Sequence, residues 1–191
     1  GLLEDISKKM TLDFKQEGDL LFLIGSSRND IGSSEYLHKI CGVEYSPVPH
    51  FDLDEEFRVQ QAVRLLISKS LIGSAHDISE GGAFITLCES GFNNLFGFEV
   101  NTAAGLRKDA WLFGEAQSRV VVTVSPPAVN DFEDSLRGMS VNMEKLGTVT
   151  NGDLVVDGEN WGQISDWKYL YDNAIEHYLA GETAESALTA V

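Results

Sequence analysis

Residues 75–84, AHDISEGGAF, hold the side chains of this sequence that are best suited to chemistry. A strand-like run meets a predicted helix there, through a polar loop that ends in Gly81 and Gly82. Glycine lets the backbone approach a ligand closely, and the N–H groups at a helix start can bind a phosphate. The side chains of His76, Asp77 and Ser79 could orient or polarise that ligand. These five residues are candidates for binding a nucleotide or phosphate; the alternative is a tight turn whose glycines serve packing and whose Asp caps the helix.

A second polar cluster lies at 112–119, LFGEAQSR, immediately before a predicted strand. Glu115, Gln117 and Arg119 occupy alternate positions, so on an extended chain all three would point to one side. A carboxylate, an amide and a guanidinium together suit the binding of a polar small molecule, so this polar cluster is a candidate substrate-binding site. The alternative is a polar sheet edge that contains a Glu–Arg pair.

A third candidate is the segment 25–37, GSSRNDIGSSEYL, at a strand–helix junction. Its glycine and serine content makes Gly32, Ser33 and Ser34 a secondary candidate for an anion-binding loop. The alternative is a loop in which Ser33 or Ser34 caps the following helix. Glu35 would then lie in the first turn, where the helix dipole favours a negative charge.

The other reactive residue types show no catalytic or metal-binding pattern. His38, His50 and His177 are far apart and show no ligand spacing, so we predict no metal site. Cys41 and Cys88 lie among apolar residues, which predicts small core side chains and no disulfide framework. No Ser or Cys comes with a recognisable base, and we predict no catalytic residue in this chain.

The composition bounds the class of protein. The chain has 191 residues with 30 acidic and 14 basic side chains, a formal charge of −16. This charge argues against nucleic acid or an anionic membrane as an electrostatically held partner. No stretch approaches the roughly 20 apolar residues of a membrane span, and residues 1–10 lack a signal-peptide pattern. With 43% hydrophobic residues, the sequence predicts a cytoplasmic domain with a substantial core.

Hydrophobic periodicity predicts mixed helices and strands, and therefore one α+β domain. The predicted strands are 20–24, 96–100, 120–124, 141–150 and 154–156. The turn at 151–153, Asn-Gly-Asp, is predicted to join the last two strands as a hairpin. Helices are predicted from the cap at Asp52 to about Ser70, over 83–90 and over 127–137, and in a closing segment capped by Asp166. The apolar face of the closing helix consists of Trp167, Leu170, Tyr171, Ala174, Ile175 and Tyr178.

Several of these stretches, taken together and in order, resemble the C-terminal lobe of the aminoimidazole ribonucleotide (AIR) synthetase-type superfamily. Within it they are most similar to the phosphoribosylformylglycinamidine synthase family. The matching segments are GDLLFLIG at 18–25, IGSSEYL at 31–37, the helix at 52–70, SAHDISEGG at 74–82, LFGEAQSRVVVTV at 112–124, LGTVT at 146–150 and the Trp/Tyr-rich closing helix.

The resemblance implies a single three-layer lobe, in which helices cover a mixed, mostly antiparallel sheet. It implies a lead-in at 1–18 from a preceding ATP-binding lobe and an AIR synthetase C-terminal-type domain at 19–181. Residues 182–191 would then be a flexible tail.

The resemblance also implies a parent enzyme of purine biosynthesis that uses ATP and Mg²⁺. That ligase converts formylglycinamide ribonucleotide and glutamine-derived ammonia to formylglycinamidine ribonucleotide. The implied partners are the preceding ATP-binding lobe, the other synthetase lobes and a glutaminase part. The family's catalytic and most nucleotide-binding residues belong to other lobes, and Gly114 and Ala116 stand where the family pattern favours hydroxyls. This lobe is therefore expected to be structural, or to line an auxiliary nucleotide site.

Two alternatives remain open from the sequence. One is a stand-alone module that binds a nucleotide or a partner without catalysis. The other is the hydrogenase-maturation or selenophosphate branch of the superfamily, which relies on a reactive Cys with no counterpart here. As an isolated lobe, the chain is expected to expose an apolar patch and to be capable of self-association.

Overall fold

A computed structural model describes residues 5–181 as a seven-stranded mixed sheet with helices on both faces. The strands are β1 (Leu20–Ile24), β2 (Ser74–Asp77), β3 (Gly97–Val100), β4 (Val120–Val124), β5 (Met143–Thr150), β6 (Asp153–Val156) and β7 (Glu159–Gln163). The α-helices are α1 (Leu53–Ser68), α2 (Gly82–Phe92), α3 (Lys108–Phe113), α4 (Val129–Leu136), α5 (Ile164–Asp172) and α6 (Ala174–Ala180). Short 3₁₀ turns lie at Ile6–Lys8 and Pro126–Ala128, and a π-helical turn lies at Tyr36–Ile40. The predicted α+β class is confirmed.

The strand order is β2-β4-β1-β5-β3-β6-β7, with β3 and β6 parallel and the other neighbours antiparallel. Two predicted strands, β1 and β4, have their predicted bounds and pair directly in the interior of the sheet. Their apolar runs are continuous because helices cover both faces of the sheet at this point.

Two apolar cores form the spaces between the layers. One lies between the sheet and helices α2, α3 and α5, and it includes Phe84, Leu87, Trp111 and Ile164. The other lies between the sheet and helices α1 and α4. The side chain of Asp52 begins α1 by accepting a hydrogen bond from Glu55 N–H at 2.7 Å, as the sequence predicts. The three-layer arrangement is confirmed.

The predicted hairpin between β5 and β6 is wrong, because β3 lies between them in the sheet. The 151–153 turn reverses the chain across the start of β3 and does not join adjacent strands. A Cβ atom on Gly97 would lie 2.1 Å from Asp153 O, so the crossing requires glycine at that position. The turn at 151–153 depends only on local residues. The strand that pairs with β5 and β6 depends instead on the burial of β3, whose Phe98 and Val100 are fully buried.

The hairpin of this region is the β6–β7 pair, which the sequence analysis missed. Its turn is Asp157-Gly158, with φ of +52° and +78°. Two consecutive positive φ values are typical of a type I′ turn, for which Asp-Gly is a favoured pair. The signal was therefore present in the sequence, in the dipeptide that follows β6.

The closing segment forms two helices, not one, and it begins at Ile164, so Asp166 is not its cap. The break falls at Asn173, between α5 and α6. Tyr171, Ile175 and Tyr178, predicted to share one apolar helix face, are 53%, 78% and 83% exposed. A regular apolar spacing identifies a helix face, but whether the domain covers that face depends on the tertiary structure.

Residues 5–18, predicted as a lead-in, pack against the domain. Phe14 is buried in the first core, and Thr11 O accepts a hydrogen bond from Ala75 N–H of the edge strand β2 at 3.2 Å. The domain boundary at residue 19 stays a prediction, and the predicted tail at 182–191 lies outside the described residues. Within residues 5–181, none of the helices is long and apolar enough to cross a membrane.

Candidate functional site

The antiparallel pairing of β2 and β4 brings the first two predicted clusters together. Asp77, at the end of β2, lies opposite Val120, at the start of β4. The pairing continues one step beyond the strands, where Ile78 N–H donates to Arg119 O at 2.9 Å. The loop after β2 and the segment before β4 are therefore neighbours, although about 40 residues separate them in the sequence.

These neighbouring segments line a cavity of about 930 Å³. Five of the predicted site residues contribute to its wall: Asp77, Ser79, Glu115, Gln117 and Arg119. The volume lies within the range typical of sites for small molecules, about 300–1,000 Å³. The cavity is the candidate functional site.

His76 is directed away from this cavity. Adjacent residues on a strand point to opposite faces of the sheet, so His76 and Asp77 cannot converge on one ligand. The His76 ring instead faces α2, where Nδ1 lies 3.0 Å from Ser90 Oγ and Nε2 lies 3.6 Å from Glu89 Oε2. The structure therefore separates His76 from the other predicted residues.

The glycines at the start of α2 pack tightly and their N–H groups have partners within the chain. Gly81 N–H donates to Glu115 Oε1 at 2.8 Å, and Gly82 N–H donates to Ser79 O at 3.1 Å. Gly82 has a φ of +71°, and a Cβ there would lie 2.6 Å from both Leu112 O and Phe113 Cα. Ser79 is exposed, and α2 has no side-chain N-cap. The geometry of these donors matches the packing-turn alternative.

Glu115 connects three loops. In addition to Gly81 N–H, its Oε1 atom accepts a hydrogen bond from Glu35 N–H at 3.0 Å, just before the π-helical turn. A carboxylate that accepts backbone N–H groups at two helix starts satisfies donors that would otherwise lack partners. Glu115 therefore holds the 25–37 loop, the β2–α2 loop and the segment before β4 in a fixed arrangement.

Arg119 supports the same arrangement from inside the protein. The residue is only 3% exposed, and its guanidinium donates to Ala116 O at 2.9 Å and to Gly114 O at 2.6 Å. Burial lowers its pKa to about 10, against the opposing effects of the nearby Asp30 and Glu115 carboxylates. At least two N–H donors of Arg119 are therefore bonded to carbonyl groups of the segment that precedes β4.

The segment before β4 is not extended, so the predicted common face of 115, 117 and 119 does not form. Ser118 has a φ of +62°, which turns the chain just before the strand begins. Glu115 is partly buried, Gln117 is exposed and Arg119 is buried. The three side chains border the same cavity from different depths.

The 25–37 loop does not join the cavity, and its polar groups bond within the chain. Ser33 N–H donates to Ser46 Oγ at 2.7 Å, and Gly32 N–H contacts Asp30 Oδ1 at 3.3 Å. Ser34 is buried, and its Oγ accepts from Leu37 N–H at 3.2 Å, although the N-cap residue of the π-helical turn is Glu35. These contacts match a loop that bonds within the chain, while Glu35 lies one position before the first turn in which it was expected.

The sequence analysis missed the opposite wall of the cavity. It consists of one stripe of α1 (Glu56, Val59, Gln60, Val63, Arg64 and Ile67) and of Lys8, Lys9 and Met10 from the lead-in. The helix itself was predicted, but no local pattern in its residues indicates that the partly buried border of its apolar face lines a cavity and not the core.

The remaining predictions concern metals and cysteines. Among residues 5–181, no group of three or more His, Cys, Asp or Glu side chains is placed to hold a metal ion. Cys88 is buried in the first core as predicted, and burial raises its thiol pKa. Cys41 was predicted to be a core residue but is exposed, because the chain after the π-helical turn lies at the surface.

The fold and this site define an α/β/α lobe whose loops are tied together by their own carboxylate, guanidinium and backbone groups. The chain belongs to the family described as AIR synthase related protein, C-terminal domain, whose model matches residues 16–158.

The relatives of this chain include much longer proteins. Phosphoribosylformylglycinamidine synthase subunit PurL of Caldanaerobacter subterraneus subsp. tengcongensis is 41% identical over 157 residues, which is 82% of this chain and 21% of the relative. The same subunit of a Bradyrhizobium species is 31% identical over 185 residues, which is 96% of this chain and 25% of the relative. The chain thus spans about a fifth to a quarter of the length of these relatives.

Solved structures show the same fold. A structure described as T. maritima PurL complexed with FGAR has a TM-score of 0.70 at 15% identity, covering 84% of this chain and 29% of that one. The hydrogenase maturation protein HypE in complex with ATP has a TM-score of 0.57 at 16% identity, covering 80% of this chain and 51% of that one.

Proposed function

We propose that this chain is the C-terminal-type lobe of a phosphoribosylformylglycinamidine synthase. That ligase would convert formylglycinamide ribonucleotide and ammonia derived from glutamine to formylglycinamidine ribonucleotide, with ATP hydrolysed to ADP and phosphate. The observation that carries the proposal is the 31–41% identity to PurL subunits, which extends over 82–96% of this chain. The relatives' greater length supports assigning the rest of the enzyme to other lobes.

Within such an enzyme, we assign this lobe a supporting role. The enzyme as a whole would use ATP and Mg²⁺, but the residues described here do not fit a triphosphate–metal complex. The glycine N–H donors at the start of α2 are bound by Glu115 and by Ser79 O, and among residues 5–181 no three metal ligands converge. We therefore derive no catalytic step from this lobe's own residues.

The proposed role is to present three loops rigidly to the rest of the enzyme. Glu115 and Arg119 fix these loops from within the lobe. Exposed apolar side chains are concentrated in residues 40–57, where Tyr45 is 89% and Val48 is 84% exposed. Such a surface suits contact with a preceding ATP-binding lobe or other synthetase lobes, and self-association of the isolated chain. A glutaminase part would supply ammonia, and the proposed setting is the cytoplasm.

A chimeric enzyme tests the proposal. The matching part of the Caldanaerobacter subunit is replaced by this chain, and ATP-dependent product formation is measured with ammonia as the nitrogen donor. We expect activity from the chimera and none from the isolated chain. A matched chimera with Gly82→Val should fold poorly and lose activity, because a side chain there meets the backbone of α3.

Two results would contradict the proposal. One is an inactive chimera that is folded and monodisperse by circular dichroism and size-exclusion chromatography. The other is ATP-dependent turnover by the isolated 191-residue chain, which would mean that catalytic residues lie within this lobe.

A further inference from the structure

The cavity has one acidic and one basic end, and the proposed function does not use this difference. Its α1 wall runs from Glu56 to Ile67, a length of about 16 Å at 1.5 Å per residue. At the Glu56 end, Oε2 of that residue accepts a hydrogen bond from Ser118 Oγ at 2.7 Å. At the other end, Lys8 Nζ donates to Ser68 O at 2.9 Å and to Ser70 Oγ at 2.8 Å. The two ends of the cavity are therefore fixed by different elements and carry opposite charges.

The basic end holds three cations: Lys8, Lys9 and Arg64. Lys8 is accounted for by the helix, because an ammonium at a helix C-terminus satisfies its last carbonyls. Its charge also helps to lower the pKa of Asp5, after the hydrogen bonds from Ser7. Lys9 and Arg64 are exposed, and across residues 5–181 neither has a carboxylate within ion-pair distance. Both positive charges therefore remain available to an anion at this end of the cavity.

The middle of the cavity is apolar. Val63 and Ile67 of α1 face Met10 of the lead-in and Ile78 and Val120 near the β2–β4 end. Val63, Ile67 and Met10 are only partly buried, so they retain surface that a ligand can cover. An apolar wall with a few polar groups at its ends is the usual composition of a small-molecule site.

The acidic end restricts the ligand further. Asp77 and Glu80 line it and are exposed, and Glu56 lies beside them on α1. Arg119 also lies at this end, but it is buried and bonded to Ala116 O and Gly114 O. The exposed carboxylates would therefore repel a second anionic group, whereas hydroxyl or amino donors would be accepted. The cavity therefore favours a ligand with one anionic end and an apolar body.

We propose that this cavity binds an organic phosphate with an apolar or aromatic body. The phosphate lies at Lys9 and Arg64, and the body extends along Val63 towards Val120. Arg64 can offer a phosphate two parallel N–H donors, and Lys9 adds a point charge. The inference is independent of the proposed ligase membership, because it concerns a cavity that the chain forms by itself.

The test is calorimetric titration of the full chain with three probes: 1-naphthyl phosphate, 1-naphthol and inorganic phosphate. We expect 1-naphthyl phosphate to bind more tightly than either of the others, with an affinity that falls as salt is added. Arg64→Glu should weaken this binding at least about tenfold, because it replaces a charge-assisted donor with a repelling carboxylate. Val63→Phe should weaken it by filling the place of the aromatic body.

Arg58→Glu is the matched control, since Arg58 lies on the same helix but lines a different, smaller cavity. This variant should change the affinity less than about twofold if the site is local. The proposal is overturned if 1-naphthyl phosphate does not bind, or if 1-naphthol or inorganic phosphate binds equally well. Equal losses in Arg64→Glu and Arg58→Glu, with both variants folded by circular dichroism, would also overturn it.

Discussion

Removal of the Glu115 carboxylate tests whether this residue holds the three loops together. Its Oε1 accepts hydrogen bonds from Gly81 N–H at 2.8 Å and from Glu35 N–H at 3.0 Å. Hydrogen bonds to a charged group contribute about 1.5–3 kcal/mol each, and the partial exposure of Glu115 favours the lower value. We therefore expect Glu115→Ala to lower the free energy of unfolding by about 3 kcal/mol.

Glu115→Gln separates the effect of charge from that of the oxygen atom. An amide oxygen at the same position can still accept both N–H groups, although neutral bonds are weaker. We expect a loss of about 1 kcal/mol for this variant, close to one third of the loss in Glu115→Ala. The nearby Arg119 also loses a carboxylate in both variants, while Asp30 continues to oppose the effect of its burial.

The assay is urea denaturation at neutral pH, followed by circular dichroism, together with thermal melting. For a domain of this size, a loss of 1 kcal/mol lowers Tm by about 2–4 °C, so Glu115→Ala should melt about 6–12 °C lower. Gln117→Ala is the control, since Gln117 is exposed two residues away and should change stability by less than about 0.5 kcal/mol. Equal stabilities for Glu115→Ala and Gln117→Ala would refute the capping role, and equal losses for the Ala and Gln variants would refute the role of the oxygen atom.

Three further predictions concern the sheet and two carboxylates, each measured by melting of the full chain. Gly97→Ala should destabilise strongly, by about 3 kcal/mol or more, because its Cβ would meet Asp153 O at 2.1 Å; a variant as stable as the parent would contradict the crossing over β3. Asp157→Ala should lower stability at neutral pH by removing the acceptor of Thr102 N–H, although Asp157 is exposed and the loss should stay near about 1 kcal/mol. The pKa of this carboxyl is lowered in the folded chain, in which the hydrogen bonds from Thr102 and Lys108 outweigh partial burial. The contribution of Asp157 to the free energy of unfolding is therefore present above its unfolded pKa and lost as pH falls through its folded pKa. The Tm values of Asp157→Ala and the parent should converge in acid. Burial raises the pKa of Asp19, so the ionised form of this side chain opposes folding above its folded pKa. Asp19→Asn should therefore raise Tm at neutral pH and lose that advantage below the unfolded pKa of Asp19. A lower Tm for Asp19→Asn at neutral pH would contradict this.

Local signals in the sequence determined much of the framework. The apolar runs of β1 and β4 and the Asp52 cap of α1 were predicted at their observed positions, because each depends on a few neighbouring residues. The Asp-Gly turn of the β6–β7 hairpin is also a local signal, although the sequence analysis missed it. The family resemblance extended this local information to the three-layer lobe.

The tertiary structure alone decided how these pieces combine. The insertion of β3 between β5 and β6 depends on long-range packing of buried strands, which the turn at 151–153 does not encode. Likewise, Glu115 accepts hydrogen bonds from Gly81 N–H and Glu35 N–H, which lie 34 and 80 positions earlier in the sequence. No local sequence pattern therefore predicts its capping role. The cavity forms because antiparallel pairing places the end of β2 beside the start of β4, opposite α1. The sequence determined which side chains are polar, and only the folded chain determined which of them bond to one another and which remain available to a ligand.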